Sequence, residues 1–215
     1  MKYVTLLGVA VVAAAALTAF AGADTASAKG GVLCSTTTDP CSSTWAKETT
    51  LHFSSEESIK LSTTGGVTAA TCSIATLETT LTANPDTEGT ATSVNEIITW
   101  GTVVEPCTKS STTIALGALR IEQIAGTSNG TVIADSPIKV TMKGLFEGEN
   151  CVYGFAAGTS IGTLTEGKPA TFDASAVAKK FGEEDSCFFG PETTKWTGKY
   201  TQTLPTNTTL SVSSS

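Results

Sequence analysis

Six cysteines carry the most definite chemistry in this sequence, and their number predicts disulfide bonds. They are Cys34, Cys41, Cys72, Cys107, Cys151 and Cys187. An even number of cysteines in an oxidising compartment indicates disulfides, and six cysteines permit fifteen pairings. Proximity along the chain favours the pairs Cys34–Cys41, Cys72–Cys107 and Cys151–Cys187. A zinc site is disfavoured, because no two cysteines have C-x-x-C spacing and the chain has only one histidine.

That histidine, His52, is the one residue that a Ser-His-acid or Cys-His catalytic arrangement would have to use. It stands between Leu51 and Phe53 in a segment whose alternation predicts a strand. On a strand, His52 faces away from its two apolar neighbours. We therefore predict a solvent-facing histidine, and we predict no catalytic residues.

Pairs of carboxylates are the other candidate catalytic groups, because two of them can hydrolyse a glycosidic bond. The candidates lie in polar, turn-like segments: Glu56 and Glu57, Glu147 and Glu149, and Glu183, Glu184 and Asp185. Nothing around them indicates the burial that raises the pKa of a catalytic acid, so we predict solvated surface charges. The last group lacks the D-x-[DN]-x-[DN]-G pattern of a calcium loop. We expect neither a metal nor a cofactor.

Tryptophans can form binding surfaces for sugars, because an aromatic face suits the apolar face of a sugar ring. Trp100 follows Ile97 and Ile98, and Trp196 alternates with polar residues on an apparent strand, so both predict core positions. Trp45, close to Cys41, has the weakest core signal. It is the predicted ligand contact.

The elements that would position these residues are short strands. Forty of the 215 residues are threonine, which is β-branched and suits a pleated surface. Apolar residues alternate with polar ones in several segments, and turn signals separate them. This pattern predicts an all-β fold, an antiparallel β-sandwich of the immunoglobulin-like or a related type, stabilised by disulfides.

Two segments leave alternatives open at this level. Residues 113–124 change phase near Gly117, which suggests a β-bulge. Residues 173–180 fit a short capped helix, but Ala174, Ala176 and Ala178 also alternate with polar neighbours. We favour a strand or a loop for the second segment.

The first residues predict export. Lys2 precedes an uncharged apolar run from Val4 to Phe20, and Ala26-Ser27-Ala28 fits a signal peptidase site. We expect a signal peptide at 1–28, with a second cleavage site after Ala23 left open. The mature chain, 29–215, is expected to be one β-sandwich domain with an N-terminal extension at about 29–66. We place it outside the cytoplasm, secreted or associated with the cell envelope.

The charge balance disfavours two classes of partner. The formal net charge is −7, and charged residues make up only 15% of the chain. Nucleic-acid-binding domains carry a basic footprint, and anionic lipid surfaces attract clustered lysines and arginines. We therefore expect neither partner, and no stable membrane insertion after the signal peptide is cleaved.

Several motifs together resemble one group of proteins. The matching segments are Val32-Leu33-Cys34, Pro40-Cys41, Val67 to Cys72, Ile124 to Thr127, Asn129 to Val132, Cys151 to Gly154, Gly162 to Thr165, Lys168 to Thr171 and Trp196 to Thr201. This layout resembles uncharacterised secreted proteins of high-GC Gram-positive (actinobacterial) soil bacteria. That group has no established activity, so the resemblance implies export and a β fold, and no substrate.

These observations favour a non-enzymatic, secreted or envelope-associated β-sandwich that binds polysaccharide or protein. One alternative is a secreted carrier or inhibitor that holds an apolar ligand between its sheets. Another is a secreted hydrolase whose two carboxylates converge in a cleft at about 5–9.5 Å. A third is subunit assembly through exposed sheet edges.

Overall fold

The computed structural model describes residues 31–38, 40–55, 57–66, 68–72, 76–82, 84, 96–99, 111–115, 118–143, 150–181 and 191–214. Every regular element in these ranges is a β-strand, and every strand pair is antiparallel, which confirms the predicted all-β class. The strands are β1 (Gly31–Cys34), β2 (Thr50–Ser55), β3 (Ile59–Thr63), β4 (Thr68–Cys72), β5 (Thr76–Leu81), β6 (Glu96–Thr99), β7 (Ser111–Ala115), β8 (Ala118–Gln123), β9 (Gly130–Ala134), β10 (Ile138–Lys143), β11 (Asn150–Phe155), β12 (Ser160–Thr165), β13 (Thr171–Lys180), β14 (Thr193–Leu204) and β15 (Ser211–Ser214).

The segment that also fitted a short helix is part of strand β13. Phe172, Ala174, Ala176 and Ala178 are buried, and the residues between them are exposed. This period of two matches a strand that buries one face. Pairing with β12 on one edge and β14 on the other gives the backbone N–H and C=O groups of β13 their hydrogen-bond partners. In a helix, these groups would have bonded within the segment itself.

Eight of the described strands close into a ring. Their order is β14, β2, β5, β6, β8, β9, β12 and β13, and β13 pairs again with β14. Because the ring is closed, each of its strands pairs with a neighbour on both edges. The predicted β-sandwich, with two facing sheets, is not confirmed. The sequence could not distinguish it from a ring, because strands that bury one face show the same alternation in both.

The two longest strands continue beyond the ring into a second sheet, which has the order β4, β3, β14, β13, β11, β10 and β7. Along β14, Thr194 to Thr197 pair with β3, and Tyr200 to Leu204 pair with β2. Likewise β13 pairs with β12 near its start and with β11 at its end. We call β13 and β14 the shared strand pair, because they belong to both the closed ring and the open sheet.

One hydrophobic core connects the ring with the open sheet. At their junction, the Trp196 ring lies 6.0 Å from Phe155 of β11 and 6.2 Å from Phe172 of β13, centroid to centroid. Tyr200 stacks on Phe172 at 5.8 Å. The predicted core position of Trp196 is confirmed, whereas Trp100 lies outside the described residues.

The first and last described strands pair with each other. β1 and β15 form a two-stranded ribbon that packs beside β8, and both are buried where their side chains are described. The backbone N–H of Val212 donates to the carbonyl of Ser128 at 2.9 Å. Residues 29–66, in which the sequence suggested an extension, contribute strands to this ribbon, to the ring and to the open sheet.

The predicted disulfide between Cys34 and Cys41 is confirmed. Cys151 is also disulfide-bonded, and its partner lies outside the described side chains. The side chain of Cys72 and the residues Cys107 and Cys187 are not among those described, so the other two pairings remain predictions. The predicted signal peptide, 1–28, also lies outside the described residues. Within the described residues, no helix is long and apolar enough to cross a membrane.

Candidate functional site

The interior of the ring contains a cavity of about 30 Å³. A water needs about 10–15 Å³ of such space, and binding sites for drug-sized ligands have volumes of about 300–1,000 Å³. Thr79 is the only polar residue in its lining, and the others are Leu51, Phe53, Leu77, Leu119, Ile121, Val132, Leu164, Phe172 and Leu210. As folded, this cavity is too small for the apolar ligand that a carrier would hold.

The outer surface of the ring carries a continuous row of hydroxyl side chains across neighbouring strands. Register pairs Thr165 with Thr171, Thr171 with Thr201, Thr201 with Ser54, and Ser54 with Thr76. The row therefore crosses β12, β13, β14, β2 and β5. We call these five residues the hydroxyl row. Since neighbouring strands lie about 4.8 Å apart, the row is about 19 Å long.

The pleat of the strands directs this row outward. Each member is half-buried or exposed, and its neighbours in the same strand include buried core residues such as Leu164, Phe172 and Tyr200. A threonine on an outer strand face packs its methyl group on the sheet, and its hydroxyl can reach solvent. Each hydroxyl can donate one hydrogen bond and accept two. The row can therefore hydrogen-bond a polymer that is itself rich in hydroxyl groups.

One flank of the hydroxyl row holds the only histidine of the chain. His52 Nδ1 lies 3.5 Å from Glu78 Oε2, and the histidine side chain is 33% exposed. The prediction of an outward-facing strand histidine is confirmed. Ser54 lies two residues further along the same strand, with a backbone spacing of about 6.7 Å, and no hydrogen bond joins these two described side chains.

The opposite flank carries a pair of unlike charges. Asp173 on β13 and Lys199 on β14 are directly opposite in register, and both are exposed. Together with Glu78, they place charged groups on both sides of the neutral hydroxyl row.

Trp45, the predicted ligand contact, lies beside β1 of the ribbon, where its backbone N–H donates to the carbonyl of Leu33 at 3.0 Å. It is half-buried against the core, and its indole Nε1–H donates to the carbonyl of Cys34 at 3.0 Å. The Asn84 side chain holds the same region, because it donates to the carbonyls of Leu33 and Trp45 and accepts from the N–H of Leu33, each at 2.8 Å. The polar end of Trp45 is thus used in the fold, and its role as a ligand contact remains a prediction.

A carboxylate pair that the sequence did not single out surrounds Arg120 on β8. The guanidinium donates to Glu122 at 2.9 Å and to Asp135 at 3.1 Å. The hydrogen bond to Glu122, and then that to Asp135, raise the pKa of Arg120 despite the opposing effect of burial. Both carboxylates contact the same guanidinium group and form an ion-pair network with it. This arrangement differs from that of a catalytic acid and base, which need different environments.

The carboxylates that the sequence analysis named fall mostly on residues that the structure does not describe. Glu57 is exposed, whereas Glu56, Glu147, Glu149 and residues 183–185 lie outside the described ranges. Within those ranges, no group of three or more His, Cys, Asp or Glu side chains could hold a metal ion. Sequence reasoning missed the hydroxyl row, because only strand register brings its members together.

Comparison with known proteins gives no relative. No family model, no curated protein and no solved structure matches the chain.

Proposed function

We propose that this protein is exported and acts outside the cytoplasm, freely secreted or at the cell envelope, where it binds polysaccharide without catalysing a reaction. The observation that carries the proposal is the hydroxyl row across five neighbouring strands. The signal-peptide pattern in residues 1–28 and the Cys34–Cys41 disulfide support the extracellular location.

Binding through such a row is weak at each contact and gains strength by repetition. One hydrogen bond between protein and ligand contributes about 0.5–1.5 kcal/mol in net terms, because water competes for the same groups. Several contacts along one polymer add together, since the later contacts form within a complex that already exists. A polysaccharide offers hydroxyl groups at every sugar unit, so it suits a row about 19 Å long.

The test is cosedimentation of the purified, oxidised protein with purified Gram-positive cell walls. The double variant Thr171→Val/Thr201→Val removes two neighbouring hydroxyls of the row and retains the β-branched shape. We expect retention to weaken by about tenfold, which corresponds to the loss of two hydrogen bonds.

The matched control is Thr50→Val/Thr80→Val. These threonines also face each other across strands on the ring's outer surface, and their hydroxyls lie 3.3 Å apart. The control is expected to bind like the parent protein. No retention of the parent, or equal loss in both double variants, would exclude the hydroxyl row as the binding surface.

A further inference from the structure

The shared strand pair and β3 carry four lysines on one outer surface, although the whole chain has a net charge of −7. They are Lys60, Lys179, Lys195 and Lys199, and all four are exposed. We call them the lysine group. Among the described residues, no carboxylate lies within 4.0 Å of any of their ammonium groups.

Strand register sets the spacing of the lysine group. Lys60 pairs with Thr197, so Lys195 and Lys199 are its two diagonal neighbours on β14. Lys179 pairs with Thr193, which makes Lys195 its diagonal neighbour as well. Diagonal positions are about 7–8 Å apart, so the four charges form a zigzag about 20 Å long. Asp173, opposite Lys199, is the only acid that register places in this zigzag among the described residues.

The lysine group continues the surface of the hydroxyl row. Lys199 lies two residues from Thr201 on β14, and Asp173 lies two residues from Thr171 on β13. Between the lysines, the same face presents Ser175 and Thr197, which are directly paired. A ligand that lies along the shared strand pair therefore meets hydroxyls first and then cations with hydroxyls between them.

We infer that this surface binds an anionic polysaccharide, a sugar polymer with repeated carboxylate or phosphate groups. The inference rests on the proposed function and names the substrate class of the same face. The lysines attract the anionic groups, and the intervening hydroxyls of β13 and β14 hydrogen-bond the sugar hydroxyls.

Two other polyanionic partners fit this surface less well. Nucleic-acid channels stack bases on aromatic side chains, whereas Phe172, Trp196 and Tyr200 of the shared strand pair are all buried on the opposite face. Membrane-surface elements insert an apolar face, whereas the described residues have just two exposed large apolar side chains, Val177 at 44% and Leu204 at 46%, and Leu204 lies beyond the hydroxyl row, opposite His52. The alternation of hydroxyls and lysines is the feature that selects a sugar polymer.

The test measures binding of the purified, oxidised protein to immobilised polygalacturonate, with neutral dextran as the uncharged reference. Affinity for polygalacturonate should exceed that for dextran and fall strongly between about 0.05 and about 0.5 M salt, because salt screens exposed charges. The variant Lys195→Gln/Lys199→Gln should weaken binding by about tenfold or more, since each lysine near an anionic surface contributes several-fold to affinity.

A matched control changes the net charge equally at other exposed positions. Lys47→Gln/Lys168→Gln lies outside the lysine group and should bind like the parent protein. Equal loss in both double variants would show attraction by net charge alone and would overturn the inference. Absence of binding to polygalacturonate and to a glycerol phosphate polymer would also overturn it.

Further arms separate this inference from the proposed function and from other partners. If cell walls and dextran retain the protein through Thr171 and Thr201 while polyanionic sugars do not, the proposed function stands and the anionic substrate class is wrong. Tighter binding to duplex DNA or to vesicles of phosphatidylglycerol than to polygalacturonate would replace the sugar polymer by that partner. Retention by none of these materials would overturn both proposals.

Discussion

The closed ring and the open sheet share β13 and β14 but are held together in different ways. In the ring, pairing returns on itself, and the interior is filled by aliphatic side chains such as Leu51, Leu77 and Leu119. In the open sheet, the described pairings end at β4 and β7, and aromatic side chains meet at the junction, where Trp196 lies near Phe155 and Phe172. The ring thus depends on closure, and the open sheet depends on a few large residues at the junction.

The largest expected effect is at the junction itself. Trp196→Ala removes a buried indole that faces both Phe155 of the open sheet and Phe172 of the ring. We expect a loss of about 3–5 kcal/mol in the free energy of unfolding and a single transition in urea, because the shared strand pair couples the two regions.

Leu77→Ala is the comparison for that variant, because Leu77 lies only in the ring. It should cost about 2–4 kcal/mol and also leave one transition. Far-ultraviolet circular dichroism measures both unfolding curves. Two separate transitions in the tryptophan variant would show that the ring and the open sheet are stabilised independently.

Removal of the Cys34–Cys41 disulfide is expected to affect the ribbon formed by β1 and β15. The bond closes a short loop, with a sequence separation of 7, so Cys34→Ser/Cys41→Ser should cost about 2–3 kcal/mol. Hydrogen exchange should accelerate in β1 and β15. Amides of β10 and β11 should keep their protection, and faster exchange there would contradict a local role for the disulfide.

Replacing one glycine in each region by alanine tests how well the ring and the open sheet tolerate an added methyl group. A Cβ at Gly162, where β12 meets β13 in the ring, would clash with the carbonyl oxygen of Asp173 and lie 2.7 Å from Phe172. A Cβ at Gly154, in the open sheet, would lie 2.8 Å from both the carbonyl oxygen of Ile138 and the Phe181 ring.

We expect Gly162→Ala to cost about 2–3 kcal/mol and Gly154→Ala about 1–2 kcal/mol, because overpacking is less easily relieved in a closed ring. Thermal unfolding of the two variants measures the difference. A larger loss for Gly154→Ala would mean that closure does not stiffen the ring.

The smallest expected effect has the opposite sign. Among the described residues, the buried Tyr200 hydroxyl has no hydrogen-bond partner, and the Trp196 ring lies 6.1 Å from the tyrosine ring, centroid to centroid. Tyr200→Phe removes a polar group that is not compensated, so we expect a gain of about 1 kcal/mol. Urea unfolding at neutral pH measures it, and a loss of stability would show that the hydroxyl has a partner.

The same variant has a consequence at high pH. Burial raises the pKa of Tyr200 far above its usual value of 10.0, an effect that Trp196 only partly offsets. Above pH 10 the unfolded chain therefore loses this proton before the folded chain does, so the tyrosine contributes to a decline in stability as the pH rises. Tyr200→Phe should make that decline less steep.

Local patterns in the sequence predicted the character of the elements but not their partners. Alternation at His52 and Trp196 correctly indicated which way each side chain faces. The phase change near Gly117 predicted a bulge, which would fall on residues outside the described ranges. A switch between two strands gives the same change of phase, and the strands on either side have different partners: β7 pairs with β10 in the open sheet, and β8 pairs with β9 in the ring. The change of phase looks the same in both cases, because hydrophobic periodicity shows which side chains face the core and does not show which strands pair.

The candidate surface shows the same limit. The low overall charge argued against any basic footprint, yet Lys60, Lys179, Lys195 and Lys199 lie on one face. Net charge is a sum over the chain, whereas a ligand responds to the charges within about one Debye length, roughly 10 Å at 0.1 M salt. Residues distant in sequence contribute to that local field only after the strands have paired.

The sequence by itself determined the all-β class and the Cys34–Cys41 disulfide, because both depend on neighbouring residues: strand alternation has a period of two, and a short loop brings two cysteines together. Only the tertiary structure decided that β13 pairs with β14 to close a ring, and that Thr171, Thr201 and Ser54 lie in one row. Closure and register are set by contacts between distant segments, and a shift of one residue would turn every hydroxyl of a strand to the other face.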